Sequence, residues 1–363
     1  MATVLRRLGR APRVAGRLPA APMLVALAAL LVLAGVLAAS MGAFRIPPAD
    51  VLGILAAKLG LLALPADDAQ AAAVLTQIRL PRVLFAMLAG AALAVGGAVL
   101  QGLFRNPLAD PALIGISGGA ALAAAWTIVL NVRLLPGLTV LLGPFSLPLA
   151  AFAGALLATW LVHRLASVHG ATSVAVMLLA GIAVSALAGA GIGLAAYVAS
   201  DDQLRNITFW QLGTLTGATW RTLGALAVLA GSATLVGLQL ARPLDALALG
   251  EAEARHLGVD VERLKRTGMV AAALAVGTVT AFCGIIGFVA LVAPHIVRVA
   301  CGPSHRLLLP ACALAGAILM TIADVVARTA VAPAELPIGV LTAFIGAPVF
   351  LVLLLRQRRL WGA

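Results

Sequence analysis

Only a few residues in this chain have the type and spacing to do chemistry, and most fail on their neighbours. A phosphate-cradling loop needs glycines ahead of a Lys followed by Ser or Thr. Of the two lysines, Lys58 follows Ala57 and Lys265 follows Leu264, so neither sits in such a loop. No HExxH, GxSxG or paired-carboxylate pattern is present, which leaves a hydrolase without nucleophile and base. His163, His169, His256, His295 and His305 are scattered, and Cys283, Cys301 and Cys312 lack metal-site spacing, so no metal site is expected. Asp324 is the one acid inside an apolar run, with Arg328 four residues on, and an ion pair near the outer end of that run is its economical role. An ion-coupled secondary transporter would need a buried acid or base relay, and Asp324 is its sole candidate. The chain therefore offers no engine of its own.

The most informative polar segment is PLDALALGEAEARHLGVDVERLKR, residues 243–266. It reads as two short amphipathic helices broken at Gly258, with Leu244, Leu247, Leu249, Leu257, Val259 and Leu264 among charges. A solvated loop has no use for those leucines, whereas a surface that docks another cytoplasmic protein does. A helix resting on lipid headgroups is the competing reading.

The elements that position these residues are membrane spans. Of 363 residues 63% are hydrophobic and 10% charged, with mean hydropathy +1.10, a composition for which lipid is the solvent. The apolar runs are far longer than a barrel strand, so the spans are helices and the fold class is all-α. Ten are expected, near 23–42, 83–104, 112–130, 146–162, 174–199, 222–240, 268–283, 286–300, 307–327 and 338–355. The seventh and eighth are short and separated by Gly284–Gly287, which suggests a half-helix. Residues 1–22 form a basic segment ahead of an uncleaved first span, and 23–363 form a single transmembrane domain. With the N-terminus inside, 17 of the 25 Lys and Arg fall on the cytoplasmic side and 8 outside, as the positive-inside rule requires. The net charge of +12 is thus a membrane feature, and no nucleic acid partner is expected.

Small residues recur at helical spacing in 89–98 and 180–193, where they let helix backbones approach in lipid. RLPR (79–82) ahead of AALAVG (91–96) is echoed by RLKR (263–266) ahead of AALAVG (272–277), entering from opposite sides, as an inverted repeat would.

RLPRVLFAMLAGAALAVGGAVLQGLFRNPLADPALIGISGGA (79–120), EAEARHLGVD (251–260), GIIGFVALVAPHIVR (284–298), HRLLLPACALAGA (305–317), ADVVAR (323–328) and ELPIGVLTAFIGAPVF (335–350) resemble the iron-chelate, heme and cobalamin permeases of bacterial ABC importers. The resemblance covers nearly everything after residue 75; residues 1–22 and 44–73 fall outside it. It implies a homodimeric permease in the bacterial inner membrane, two cytoplasmic ATPase subunits below and one periplasmic substrate-binding protein above. This chain would bind no cofactor, ATP and Mg being held by the ATPase. The resemblance further implies ATPase coupling through Glu251, Ala252, Arg255, Leu257, Gly258 and Val259, and docking of the binding protein on Arg79, Arg82 and Arg328. Thr172 and Ser173 match the cytoplasmic gate, with helix capping the competing role for these hydroxyls. Met177, Ser185, Gly189 and Gly193 are the expected pathway lining. That lining is smooth and apolar, which favours heme; a ferric siderophore or cobalamin is the alternative cargo.

Overall fold

The computed structural model describes residues 20–61, 69–134, 142–168 and 171–361; the basic segment 1–19 and His169 lie outside them. The chain order is α1 (Ala20–Ser40), α2 (Pro48–Lys58), α3 (Ala69–Leu103), α4 (Ile116–Leu134), α5 (Ser146–Ala166), α6 (Val174–Val198), α7 (Asp201–Leu212) and α8 (Trp220–Gln239). After these come α9 (Ala241–Leu247), α10 (Glu251–His256), α11 (Val261–Cys283), α12 (Val289–Cys301), α13 (His305–Thr329) and α14 (Ile338–Trp361). A two-residue antiparallel ladder, β1 (Ser167–Val168) with β2 (Ala171–Thr172), turns the chain between α5 and α6.

Seven of these helices are long and apolar enough to cross a membrane, and α4, α12 and α14 carry shorter apolar stretches, which together are the ten expected spans. At 13 residues, α12 is about 20 Å long, well short of a bilayer's roughly 30 Å core. It is the half-helix suspected at 286–300. The non-helical 284–288 stretch ahead of it packs against the α7–α8 turn, where Thr214 N–H donates to Cys283 O at 2.7 Å and Gly213 O accepts from Ile338 N–H at 3.0 Å. Non-helical backbone at this depth is tolerated because protein, not lipid, surrounds it.

Two outer helices depart from the sequence expectation. α3 begins at Ala69, fourteen residues ahead of the expected 83, because polar Gln70, Thr76, Gln77 and Arg79 interrupt the apolar run without interrupting the helix. α7 lies within what reads as loop. Its start is fixed by a capping box in which Ser200 Oγ accepts from Gln203 N–H while Gln203 Oε1 accepts from Ser200 N–H at 3.0 Å.

The core is built on α3, whose small residues let three neighbours approach at backbone distance. A Cβ at Gly90 would overlap Gly316 O of α13, and one at Gly316 would overlap Gly90 O. Gly97 presses equally on Ala290 O of α12, and Gly96 faces Ala272 and Val276 of α11. The two AALAVG segments therefore touch where α3 and α11 cross. A second contact of this kind joins Gly119 of α4 to Gly154 of α5. In lipid such packing replaces the hydrophobic effect as the cohesive term.

Gly316→Val should therefore force α3 and α13 apart, at a cost of about 1–3 kcal/mol or more, whereas Gly224→Ala on α8, with nothing within 4 Å of its Cβ, should be neutral. Thermal melting of the two variants in detergent checks this.

Candidate functional site

Contacts divide the helix ends into two sets. At one end meet the C-terminus of α1, the α3 extension, the end of α13 and the start of α14. At the other meet the ends of α3, α5 and α8 and the starts of α6, α11 and α13. The second end is the basic-rich, cytoplasmic one.

At the outer end, the three arginines expected to receive a binding protein all have partners within the chain. Arg79 is 5% exposed and donates to Ala39 O at 2.6 Å, to Ser40 O at 2.9 Å and to Phe44 O, capping the carbonyls of α1. It does not present its guanidinium at the surface, which corrects its expected docking role. Arg82 donates from Nε to Asp324 Oδ1 at 2.9 Å and holds Glu335 with both terminal nitrogens at 2.9 and 2.8 Å. Arg328 pairs with Asp324 at 3.1 Å and donates to Met41 O and Ala38 O. Asp324, with a side chain only 2% exposed, thus joins α3 to α13. The expected pair with Arg328 is present, and Arg82, far away in sequence, is its second partner. A neighbouring cavity of about 700 Å³ is rimmed by Arg45 and Arg328. Arg45 is the exposed cation there.

At the inner end the coupling segment has three parts. α9 and α10 are separated at Gly250 (φ +134°), and Gly258 (φ +84°) closes α10 ahead of α11. The expected break at Gly258 is present, and a second one at Gly250 divides the residues ahead of it into two short helices. Leu244, Leu247 and Leu264 are buried in the core, together with Ala254, so they anchor the elbow rather than dock anything. Leu249 and Leu257, at 67% and 64% exposed, form the free edge, with Ala252, Arg255 and Gly258 also exposed and Glu251 and Val259 half-buried. Asp245 on α9 ties the elbow to α13: it accepts from His305 N–H at 2.6 Å and Ser304 Oγ at 3.0 Å, and lies 3.0 Å from His305 Nδ1.

Thr172 is buried in the turn ahead of α6, and Ser173 is the α6 N-cap, its Oγ accepting from Val176 N–H at 3.4 Å. Capping, one of the two readings of these hydroxyls, is thus realised at Ser173. Beside the turn is a cavity of about 340 Å³ lined by His163, Ser167, Thr172, Asp260, Glu262, Arg263 and Arg266.

On α6, Met177 is 2% exposed and packs into the core, so it is not pathway lining; this corrects its expected place. Ser185 is half-buried against Gly118 of α4, while Gly189 and Gly193 face open space. Ile182 shares that open face, while exposed Leu187 and Leu194 lie well around the helix from it. Among the described residues no group of three or more His, Cys, Asp and Glu could hold a metal ion.

Ten apolar helices, nine of them besides the close-packed α3, with an elbow of short helices at the basic end, define a membrane permease without a nucleotide-binding motif. Residues 30–356 match the FecCD transport family, and the chain belongs to that family. The match includes 44–73, the outer segment with no counterpart in the sequence resemblance. The chain is 47% identical over 281 residues to the hemin transport system permease protein HmuU of Yersinia pestis, covering 77% of this chain and 83% of that protein. It is 45% identical over 283 residues to the vitamin B12 import system permease protein BtuC of Klebsiella pneumoniae, covering 78% and 82%. A solved structure described as an inward-facing conformation of a metal-chelate type ABC transporter superposes with a TM-score of 0.78 at 32% identity, covering 92% of this chain and 99% of that one. The protein is the permease subunit of an ABC importer and is not itself an enzyme.

Two outcomes follow from the outer ion cluster. Asp324→Asn leaves two nearly buried guanidinium groups short of a carboxylate and should cost about 3 kcal/mol, read as a lowered melting temperature in detergent. Glu335, in the outer loop, has its carboxyl held below the usual range, chiefly by the hydrogen bond from Arg82. A depressed pKa adds stability that is present above the unfolded-state value and lost as pH falls through the folded one. The stability gap between the unaltered chain and Glu335→Gln should therefore exist at neutral pH and close below the ordinary glutamate range, as melting across pH would show.

Proposed function

We propose that this chain imports heme across the bacterial inner membrane, as a homodimer driven by two cytoplasmic ATPase subunits and loaded by one periplasmic binding protein. The observation that carries the importer part is the elbow at the basic-rich end. Leu249 and Leu257 stand exposed just past the ends of α9 and α10, short helices whose Leu244, Leu247 and Ala254 are locked into the core. Apolar side chains held outward on a rigid mount are what a partner's groove needs. Glu251, Ala252, Arg255, Leu257, Gly258 and Val259 form the face on which the ATPase docks, and ATP with Mg belongs to that partner.

The cycle is alternating access. A loaded binding protein docks at the outer rim, where exposed Arg45 and the edge of Arg82 meet its acidic groups, with Arg328 behind them bracing Asp324. Substrate enters between the two copies along α6, and ATPase closure changes which end is open, with Thr172 and Ser173 at the cytoplasmic gate. The open face of α6 at Ile182, Gly189 and Gly193 supports a flat, largely apolar cargo, with Ser185 the hydroxyl at its edge. The similarity to a hemin permease agrees with this reading. Cobalamin is the second reading, favoured by the nearly equal identity to vitamin B12 permeases.

Replacing Leu249 and Leu257 together by Asp should abolish copurification with the ATPase subunit while the permease still elutes as a folded species; retained copurification would remove the coupling assignment. In proteoliposomes of the complex, hemin with its binding protein should stimulate ATP hydrolysis several-fold and cobalamin should not. The reverse pattern would make cobalamin the cargo.

A further inference from the structure

We propose that Lys265 is the positioning residue that transmits movement of the docking elbow to the cytoplasmic gate. It is one of only two lysines in the chain and, although it lies near the cytoplasmic surface, it is 4% exposed. Its ammonium reaches three different elements: it forms an ion pair with Glu251 Oε1 of α10 at 2.9 Å, and donates to Thr172 O of the gate turn at 3.0 Å and to Glu262 Oε1 of its own helix at 3.3 Å. Glu262 closes the arrangement: its other oxygen accepts from Thr172 N–H at 3.1 Å. Both backbone polar groups of Thr172 are thus held by side chains one turn apart on α11. The same ammonium holds α10, and Ser173, the next residue, caps α6. The order of contact is α10, Lys265, Thr172, α6.

A Lys at this point suits transmission better than an apolar residue of similar size. A methionine would fill the space but grip neither Glu251 nor the Thr172 carbonyl. Thr172 Oγ1 also lies 3.2 Å from Ser167 Oγ, so a shift of Thr172 is passed to both sides of the α5–α6 turn. The 340 Å³ cavity lined by Ser167, Thr172, Glu262 and Arg266 gives the turn room to move. Packed and hydrogen-bonded contacts carry energetic coupling between sites, and these contacts run without a gap from elbow to gate.

The inference rests on the assignment of residues 251–259 to ATPase docking and of Thr172 and Ser173 to the gate. Its test uses the assembled permease and ATPase complex in nanodiscs, with Ser173→Cys spin-labelled in a background whose native cysteines are alanine, and the distance between the two labels measured with and without nucleotide. Lys265→Met should copurify with the ATPase as the unaltered chain does, yet lose the nucleotide-dependent change in distance, with coupling weakened about tenfold. Lys265→Arg, which keeps the charge, should recover part of the change. Glu262→Gln, a milder substitution on a more exposed side chain, should show the same loss if Lys265→Met fails to fold. Glu251→Gln added to Lys265→Met should make nothing worse. A full distance change in Lys265→Met or Glu262→Gln would overturn the proposal, as would additive effects in the double variant. Loss of ATPase binding in Lys265→Met would place the residue in the docking surface and overturn it too. If the unaltered chain shows no change, the gate assignment fails and the link with it, whereas the docking assignment is judged separately by the Leu249 and Leu257 variants.

Discussion

The structure depends on how closely other helices can approach α3. Lipid gives apolar side chains no reason to leave it, so the bundle coheres where backbones meet without side chains between them. Gly90 against Gly316 and Gly97 against Ala290 seat α13 and α12 along one face of α3, and Gly96 against Val276 seats α11 on the adjacent face. A larger residue at any of these points would move two helix ends at once, because a helix is stiff over its length. The placement of both functional ends follows from this packing at mid-membrane.

Each end is then fixed by charge. Outside, Asp324 between Arg82 and Arg328 binds the start of α3 to the end of α13, and Arg79 holds the carbonyls that terminate α1. Inside, Asp245 ties the elbow to α13 and Lys265 ties it to α11 and the α5–α6 turn. The two lids differ in kind. The outer cluster joins long helices already in contact and therefore reads as bracing, whereas the inner one joins the short-helix elbow to a turn. α6 is held by its cap and by Gly181 and Gly191 along one side, while its Gly189 and Gly193 side stays open, as a helix beside a transport route should.

Much of this was legible in the amino-acid order. The ten apolar stretches are where hydropathy puts them, and the Gly284–Gly287 interruption marks the half-helix. The capping pair Ser200 and Gln203 announces α7, though the polar run DDQLRN around it reads as loop. Other features were beyond reach. Leucine placement in 243–266 signals an interface but cannot say that Leu244, Leu247 and Leu264 turn inward while Leu249 and Leu257 turn out, since short helices of six or seven residues take their orientation from what they pack on. Met177, expected to line the pathway, is core, about 120° around α6 from Gly189, on the side where Gly181 packs on Leu113 and Ile114. Lys265 sits in an RLKR string like any basic loop, and nothing local shows its burial.

The sequence by itself determined that the chain lives in lipid, which end carries the positive charge, how many times it crosses, and that it has no site for a nucleotide of the P-loop kind. These are sums over neighbouring residues, and transfer into a bilayer is decided segment by segment. Only the tertiary structure decided which arginine braces and which is free, which leucines remain outside, and that one ammonium bridges the elbow and the α5–α6 turn. Those outcomes depend on the crossing points of helices far apart in the chain, and a pairing such as Arg82 with Asp324, 242 residues away, leaves no local signature for composition or periodicity to carry.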